Sequence, residues 1–129
     1  KLSNILLLPY QPFEELAHVI SSATFSFVCL ESTFTGLSVP SKTYALMAAG
    51  IPIIGLIDED SEIGETIIRH NCGKILDESK QKNLAKLLID TLEDTSGLKK
   101  MSDNGLKAFK EKYELSISAK KYIALINKR

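Results

Sequence analysis

The stretch Thr35-Gly36-Leu37-Ser38-Val39-Pro40-Ser41-Lys42 carries residue types that can bind an anion. Gly36 lets the backbone approach a ligand closely. Ser41 is a good N-cap for a helix beginning there. Such a helix start presents unpaired N–H groups and the positive end of a dipole. Lys42 adds a mobile cation in the same turn. A cation opposes the dipole there by about 0.3–1 kcal/mol, so its position makes better sense facing an anion. Over the carboxyl edge of a sheet, that arrangement is a phosphate site. The same residues also read as a cap, a solvated lysine and a turn glycine. Neither G-x-x-x-x-G-K-[ST] nor G-x-G-x-x-G occurs in the sequence.

The flanking pattern must position these groups. Apolar runs predict four buried strands over residues 5–8, 25–30, 52–57 and 73–76. They are continuous rather than alternating, as in a parallel sheet covered on both faces. Helices are expected over 12–23, where Pro12 suits the first turn, and over 41–49, closed by Gly50. A third is expected from Asp60 or Ser61 to about His70. From Asp77 onward the spacing turns helical. Leu84, Leu87, Leu88 and Leu92 share one face. Leu98, Met101, Leu106 and Phe109 share another, with Gly105 a weak point between them. Residues 115–126 make a last helix, with Lys120 and Lys121 outward. The expected fold is therefore an α/β, Rossmann-like layered domain with a parallel sheet of about four strands and a helical C-terminal tail. Ligands of such sheets bind at the carboxyl ends of the strands.

Composition narrows the function classes. The 129 residues fit a single domain, and a 44% hydrophobic content provides for a core. Sixteen basic and sixteen acidic residues cancel, so no global field favours nucleic acid. Cys29 and Cys72 are far apart and form no ligand cluster; Cys29 lies in an apolar run and is expected to be buried. A reduced, cytoplasmic setting is expected. Neither a transmembrane run nor a signal peptide is visible. The opening, almost directly on residues 5–8, reads as that of a segment from a longer protein.

The block Gly36-Leu37-Ser38-Val39-Pro40-Ser41-Lys42, with Tyr44 and then Met47-Ala48-Ala49-Gly50-Ile51-Pro52, resembles glycosyltransferase family four, of the GT-B fold. It is most similar to bacterial members that build surface polysaccharide or lipopolysaccharide. Weaker likenesses run through Leu8-Pro9-Tyr10-Gln11-Pro12, Asp60-Ser61-Glu62-Ile63, Cys72-Gly73 and residues 113–126, so the resemblance covers nearly the whole chain. It implies that residues 1–129 are a partial C-terminal domain that binds a nucleotide-sugar donor. Gly36, Leu37, Ser38, Ser41 and Lys42 would hold the donor diphosphate, and Lys42 would be catalytic by offsetting charge on the leaving nucleotide. Tyr10 and Gln11 would border the base, and Glu62 would contact the sugar. The donor would be UDP- or GDP-linked, and transfer would retain configuration without a metal or other cofactor. The acceptor would be a glycan or lipid-linked glycan, met through an N-terminal domain at the inner face of a membrane. The isolated segment would be inactive. Its open sheet edge would allow two copies to pair.

The sequence departs from the family at two places. Many relatives carry a glutamate at Ala45, bonding the ribose, and an acidic residue where Thr35 stands. This keeps open a non-catalytic interaction module, or a receiver-like regulatory domain, although no acidic pair follows a first strand. His18 and Tyr122 read as structural residues, and so does Tyr113. A partly charged His70 would suit a helix end. Asp58, Glu59, Asp60 and Glu62 read as a polar turn and cap rather than a metal cluster.

Overall fold

The computed structural model describes residues 3–76 and 83–127; Asp77, where the helical pattern is expected to begin, lies outside them. Three parallel strands form one sheet in the order β1 (Ser26–Cys29), β2 (Ile53–Leu56) and β3 (Gly73–Ile75). The register pairs Ser26 with Ile53 and Cys29 with Leu56 on one side of β2, and Ile53 with Gly73 on the other. A 3-10 turn, Phe13–Glu15, leads into α1 (Leu16–Ser21) before β1. The crossovers carry α2 (Lys42–Ala48) and α3 (Glu62–His70). Three more helices follow: α4 (Leu84–Glu93), α5 (Thr95–Ala108) and α6 (Leu115–Ile126), the last two joined by a π-helical turn at Phe109–Tyr113.

The elements form where local chemistry allows. Ser61 is extended and its Oγ accepts from Gly64 N at 3.0 Å, so α3 starts on a side-chain cap. Of the two caps expected for α3, Ser61 is the one used. Asn71, in the left-handed conformation, ends that helix. At the end of α2, Ile51 N donates to Leu46 O at 2.9 Å and Gly50 N to Met47 O at 3.1 Å. This paired closure needs the positive φ of 67° that Gly50 supplies.

The core lies between the sheet and the helices packed on it. Ile53 and Ile54 of β2 are both fully buried, so that strand is covered on both faces as its apolar run predicts. Ile53 packs in one cluster with Val28, Leu46 and Met47 of α2, Ile63 and Ile67 of α3, and Cys72, among others. Gly105 is not a weak point. It is buried, and a Cβ there would lie 3.3 Å from Cys72 Cβ and 3.8 Å from Met47 Cα, so its missing side chain is what lets α5 pack this closely.

Two expectations change. Residues 5–8 form no strand; Leu6 and Leu7 are 79% and 88% exposed. An extended run becomes a strand only when a neighbour meets its N–H and C=O groups, and none of the described strands runs beside it. Cys29 is exposed rather than buried; it is the last residue of β1, on the face opposite the buried Val28. Cys72 is buried, which pushes its thiol up to about 11 and makes it an unreactive packing residue. Among the described residues, no helix is long and apolar enough to cross a membrane.

Thr43, on the inner side of α2, is fully buried, and its hydroxyl has no hydrogen-bond partner among the described residues. An unmet buried hydroxyl costs about 1–3 kcal/mol. Thr43→Val keeps the shape and removes the hydroxyl. It is expected to raise the unfolding free energy by about 1 kcal/mol, read as a higher urea midpoint at unchanged slope.

Candidate functional site

The parallel order brings the β1–α2 connection and the β2–α3 connection to the same, carboxyl end of the sheet. The first holds Gly36, Leu37, Ser38 and Ser41 and leads to Lys42; the second holds Asp58 and leads to Glu62. A hollow of about 350 Å³ opens between them, lined by Cys29, Leu30, Glu31, Ser32, Ile57 and Asp58 among others. None of Gly36, Leu37, Ser38, Ser41, Lys42 and Glu62 is among the residues that line this hollow, although both connections lie at the same end of the sheet.

The β1–α2 loop is a tight local structure. A 3-10 turn at Ser32–Phe34 begins it. Leu37 N and Ser38 N both donate to Phe34 O, at 2.9 and 3.1 Å. Those two amides are thus already used. Gly36 sits between them and the turn with a φ of 79°, and nothing lies within 4 Å of where its Cβ would be. The loop is open at the residue that allows closest approach. Two side chains anchor it: Ser32 Oγ donates to Asp58 Oδ1 at 3.0 Å, and Thr35 Oγ1 donates to Asp58 Oδ2 at 2.8 Å.

The start of α2 differs from the expected cap. Ser41 already has helical angles, φ −60° and ψ −24°, and its side chain makes no capping bond. The winding begins one step earlier, since Thr43 N donates to Pro40 O at 3.1 Å. A residue inside the helical backbone cannot turn its hydroxyl back onto the first-turn amides. With seven residues, α2 is also short, so the positive charge here rests mainly on Lys42.

Lys42 is exposed, and its Nζ donates to Phe27 O at 3.1 Å. Ser26 N and Leu30 N donate to Pro52 O and Leu56 O of the β2 side, so Phe27 turns its backbone groups to the open edge. The lysine therefore covers a free carbonyl on the sheet edge. Edge lysines also discourage the pairing of exposed strands.

The remaining expected residues lie to the side of α2. Tyr10 is 98% exposed, and Gln11 folds back so that its Nε2 donates to Pro9 O at 2.8 Å. Just beyond them, Phe13, Glu14, Leu16 and Ile20 share a second, apolar hollow of about 600 Å³ with Ala45 and Ala48. Ala45 is thus part of an apolar wall. Sequence spacing does not reveal this hollow, because its two sides are some thirty residues apart.

Tyr44 links the site to the C-terminal helices. Its ring lies 4.9 Å from that of Tyr113 in the π-turn, and the Tyr113 hydroxyl is 3.2 Å from His70 Nε2. Burial, then the Glu62 carboxylate and Tyr113, push the Tyr44 phenol above its usual range. The expected charge on His70 is not favoured. Burial, then Lys112 and Arg69, hold its imidazole below the ordinary value, and Glu111 opposes them only in part.

The chain matches no family model, no curated protein and no solved structure.

A lowered histidine value gives a pH dependence of definite sign. The unfolded chain binds the proton more readily, so the stability His70 contributes is complete above its ordinary value of 6.5 and is lost as pH falls through its lower folded value. Thermal melts of the wild type are expected to drop in midpoint between about pH 7 and about pH 5. His70→Gln should flatten that slope. An equal slope in both would contradict the assignment.

Proposed function

We propose that the chain is the nucleotide-diphosphate-holding part of a Rossmann-like donor domain, in a nucleotide-sugar-dependent glycosyltransferase of the GT-B type. The observation that carries the reading is Gly36: a left-handed glycine with open space around it, in the first loop at the carboxyl end of a parallel sheet. The family-four resemblance of residues 36–52 supports the same loop independently of its geometry.

In this reading Lys42 is the charge that meets the diphosphate. Its bond to Phe27 O is a single exposed contact, worth about 1 kcal/mol, so the ammonium can swing to an anion at small cost. There it offsets the charge that grows on the leaving nucleotide, which is stabilisation aimed at the transition state. The open Gly36 backbone takes the close contact. The apolar hollow between α1 and α2 receives the nucleoside, with Tyr10 and Gln11 at its border and Ala45 in its wall. Glu62, at the start of α3, faces the sugar. The acceptor is a glycan or lipid-linked glycan, bound by groups of a second domain, and the chain alone binds donor without transferring sugar.

A second reading is a donor-like domain used for interaction alone. It is favoured by the lysine bound to the sheet edge and by an alanine where a ribose-binding glutamate would stand.

Titration calorimetry with UDP and GDP separates the two. One nucleotide is expected to bind in the micromolar to millimolar range, and Lys42→Ala should weaken it by about tenfold or more, equivalent to about 1.4 kcal/mol. Equal binding by wild type and variant would remove Lys42 from the site. No binding of either nucleotide would favour the interaction module.

A further inference from the structure

We infer that Asp58 is a positioning residue that sets the shape of the β1–α2 loop and couples it to the start of α3. The functional half of this inference rests on the reading of that loop as diphosphate-binding. The geometric half does not.

Asp58 follows β2, yet both oxygens of its carboxylate are taken up by the connection before that strand. Ser32 Oγ and Thr35 Oγ1 donate to them, one to each, at 3.0 and 2.8 Å. Among the described residues, these are the hydrogen bonds that tie residues 32–38 to the rest of the protein. The other bonds of that segment are local, within the turn around Phe34. Bonds to an ionised acceptor are about twice as strong as neutral ones. Asp58 is therefore what keeps the turn, and Gly36 with it, at a fixed height over the sheet.

The main chain of Asp58 faces the other way. Its carbonyl accepts from Ser61 Oγ at 2.7 Å and from Ser61 N at 3.2 Å, and the same Ser61 Oγ caps α3 at Gly64 N. One residue thus grips the loop with its side chain and the start of α3, where Glu62 sits, with its backbone. A shift of the loop on ligand binding would be passed to α3 through this single point.

The test uses Asp58→Ala, Asp58→Asn and Thr35→Val in the full chain, with amide hydrogen exchange by NMR and UDP and GDP titrations. Without ligand, the Leu37 and Ser38 amides are expected to exchange about tenfold faster in Asp58→Ala, while β2 amides keep their protection. Thr35→Val should give part of the effect, and adding it to Asp58→Ala should give little more, because the two changes remove one interaction. Asp58→Asn keeps one acceptor oxygen and turns the other into an NH2 donor, so it holds only one loop hydroxyl in the native direction and should restore part of the protection. Nucleotide affinity is expected to fall about tenfold in Asp58→Ala and to recover in part in Asp58→Asn. Unchanged exchange at Leu37 and Ser38 would overturn the inference, and so would a loss of protection spread evenly over the sheet. Should Asp58→Ala not fold, Thr35→Val and Ser32→Ala carry the same exchange measurement. If the wild type binds neither nucleotide, the diphosphate reading fails while the exchange result still decides the clamp. Faster exchange with unchanged affinity would overturn the positioning role.

Discussion

The fold depends on β2 being satisfied on every side. Its backbone is bonded to β1 on one edge and β3 on the other, and Ile53 and Ile54 point to opposite faces with neither exposed. A strand with that much apolar surface is stable only when helices cover both faces, and parallel pairing supplies crossovers that can do so. The same pairing fixes direction. Every connection that leaves a strand leaves it at the carboxyl end, so the loop around Gly36 and the turn at Asp58 are neighbours by topology before any side chain is considered. The bond between them is local chemistry added to a proximity that the sheet imposes.

The edge of the sheet has the opposite character. β1 has one bonded side, and its outward carbonyl at Phe27 is met by Lys42 rather than by another strand. A lysine at that position has two possible partners of unequal strength. A neutral carbonyl in contact with solvent holds it weakly, and a diphosphate would hold it with full charges on both sides. The edge bond is therefore compatible with a role in anion binding. It sets a small energetic threshold that a ligand must exceed.

Much of this was legible in the sequence where the signal was strong and local. The apolar runs around Val28, Ile53–Leu56 and Gly73–Ile75 gave strands, and the leucine spacing after residue 84 gave helices. The run at residues 5–8 has the same composition but remained unpaired, because pairing is a property of two segments and composition describes one. The Ser41 cap failed for a related reason: the helical winding starts at Pro40, and a cap depends on backbone angles that residue type alone does not fix. At the site, the sequence pointed to Gly36 and Lys42. It read Asp58 only as part of a polar turn. An aspartate bonded to residues 23 and 26 positions earlier leaves no periodic trace, so its partners emerge only from the fold.

The helices after β3 extend the argument beyond the sheet. α5 packs its Gly105 against Met47, the residue that anchors α2 in the core, so the helix carrying Lys42 is held from the C-terminal side as well as from the sheet. The π-turn then places Tyr113 between Tyr44 and His70, joining α2 to the end of α3 by ring contact and one hydrogen bond. A π-turn widens the helix by one residue and changes which side chains face inward, and such turns recur where a side chain must be aimed. With Asp58 held to Ser61 just before α3 and His70 at its end, α3 is tied at both termini to the β1–α2 loop and to α2. The helices that carry Lys42 and Glu62 are thereby joined at two places, through the Asp58 bonds and through Tyr113.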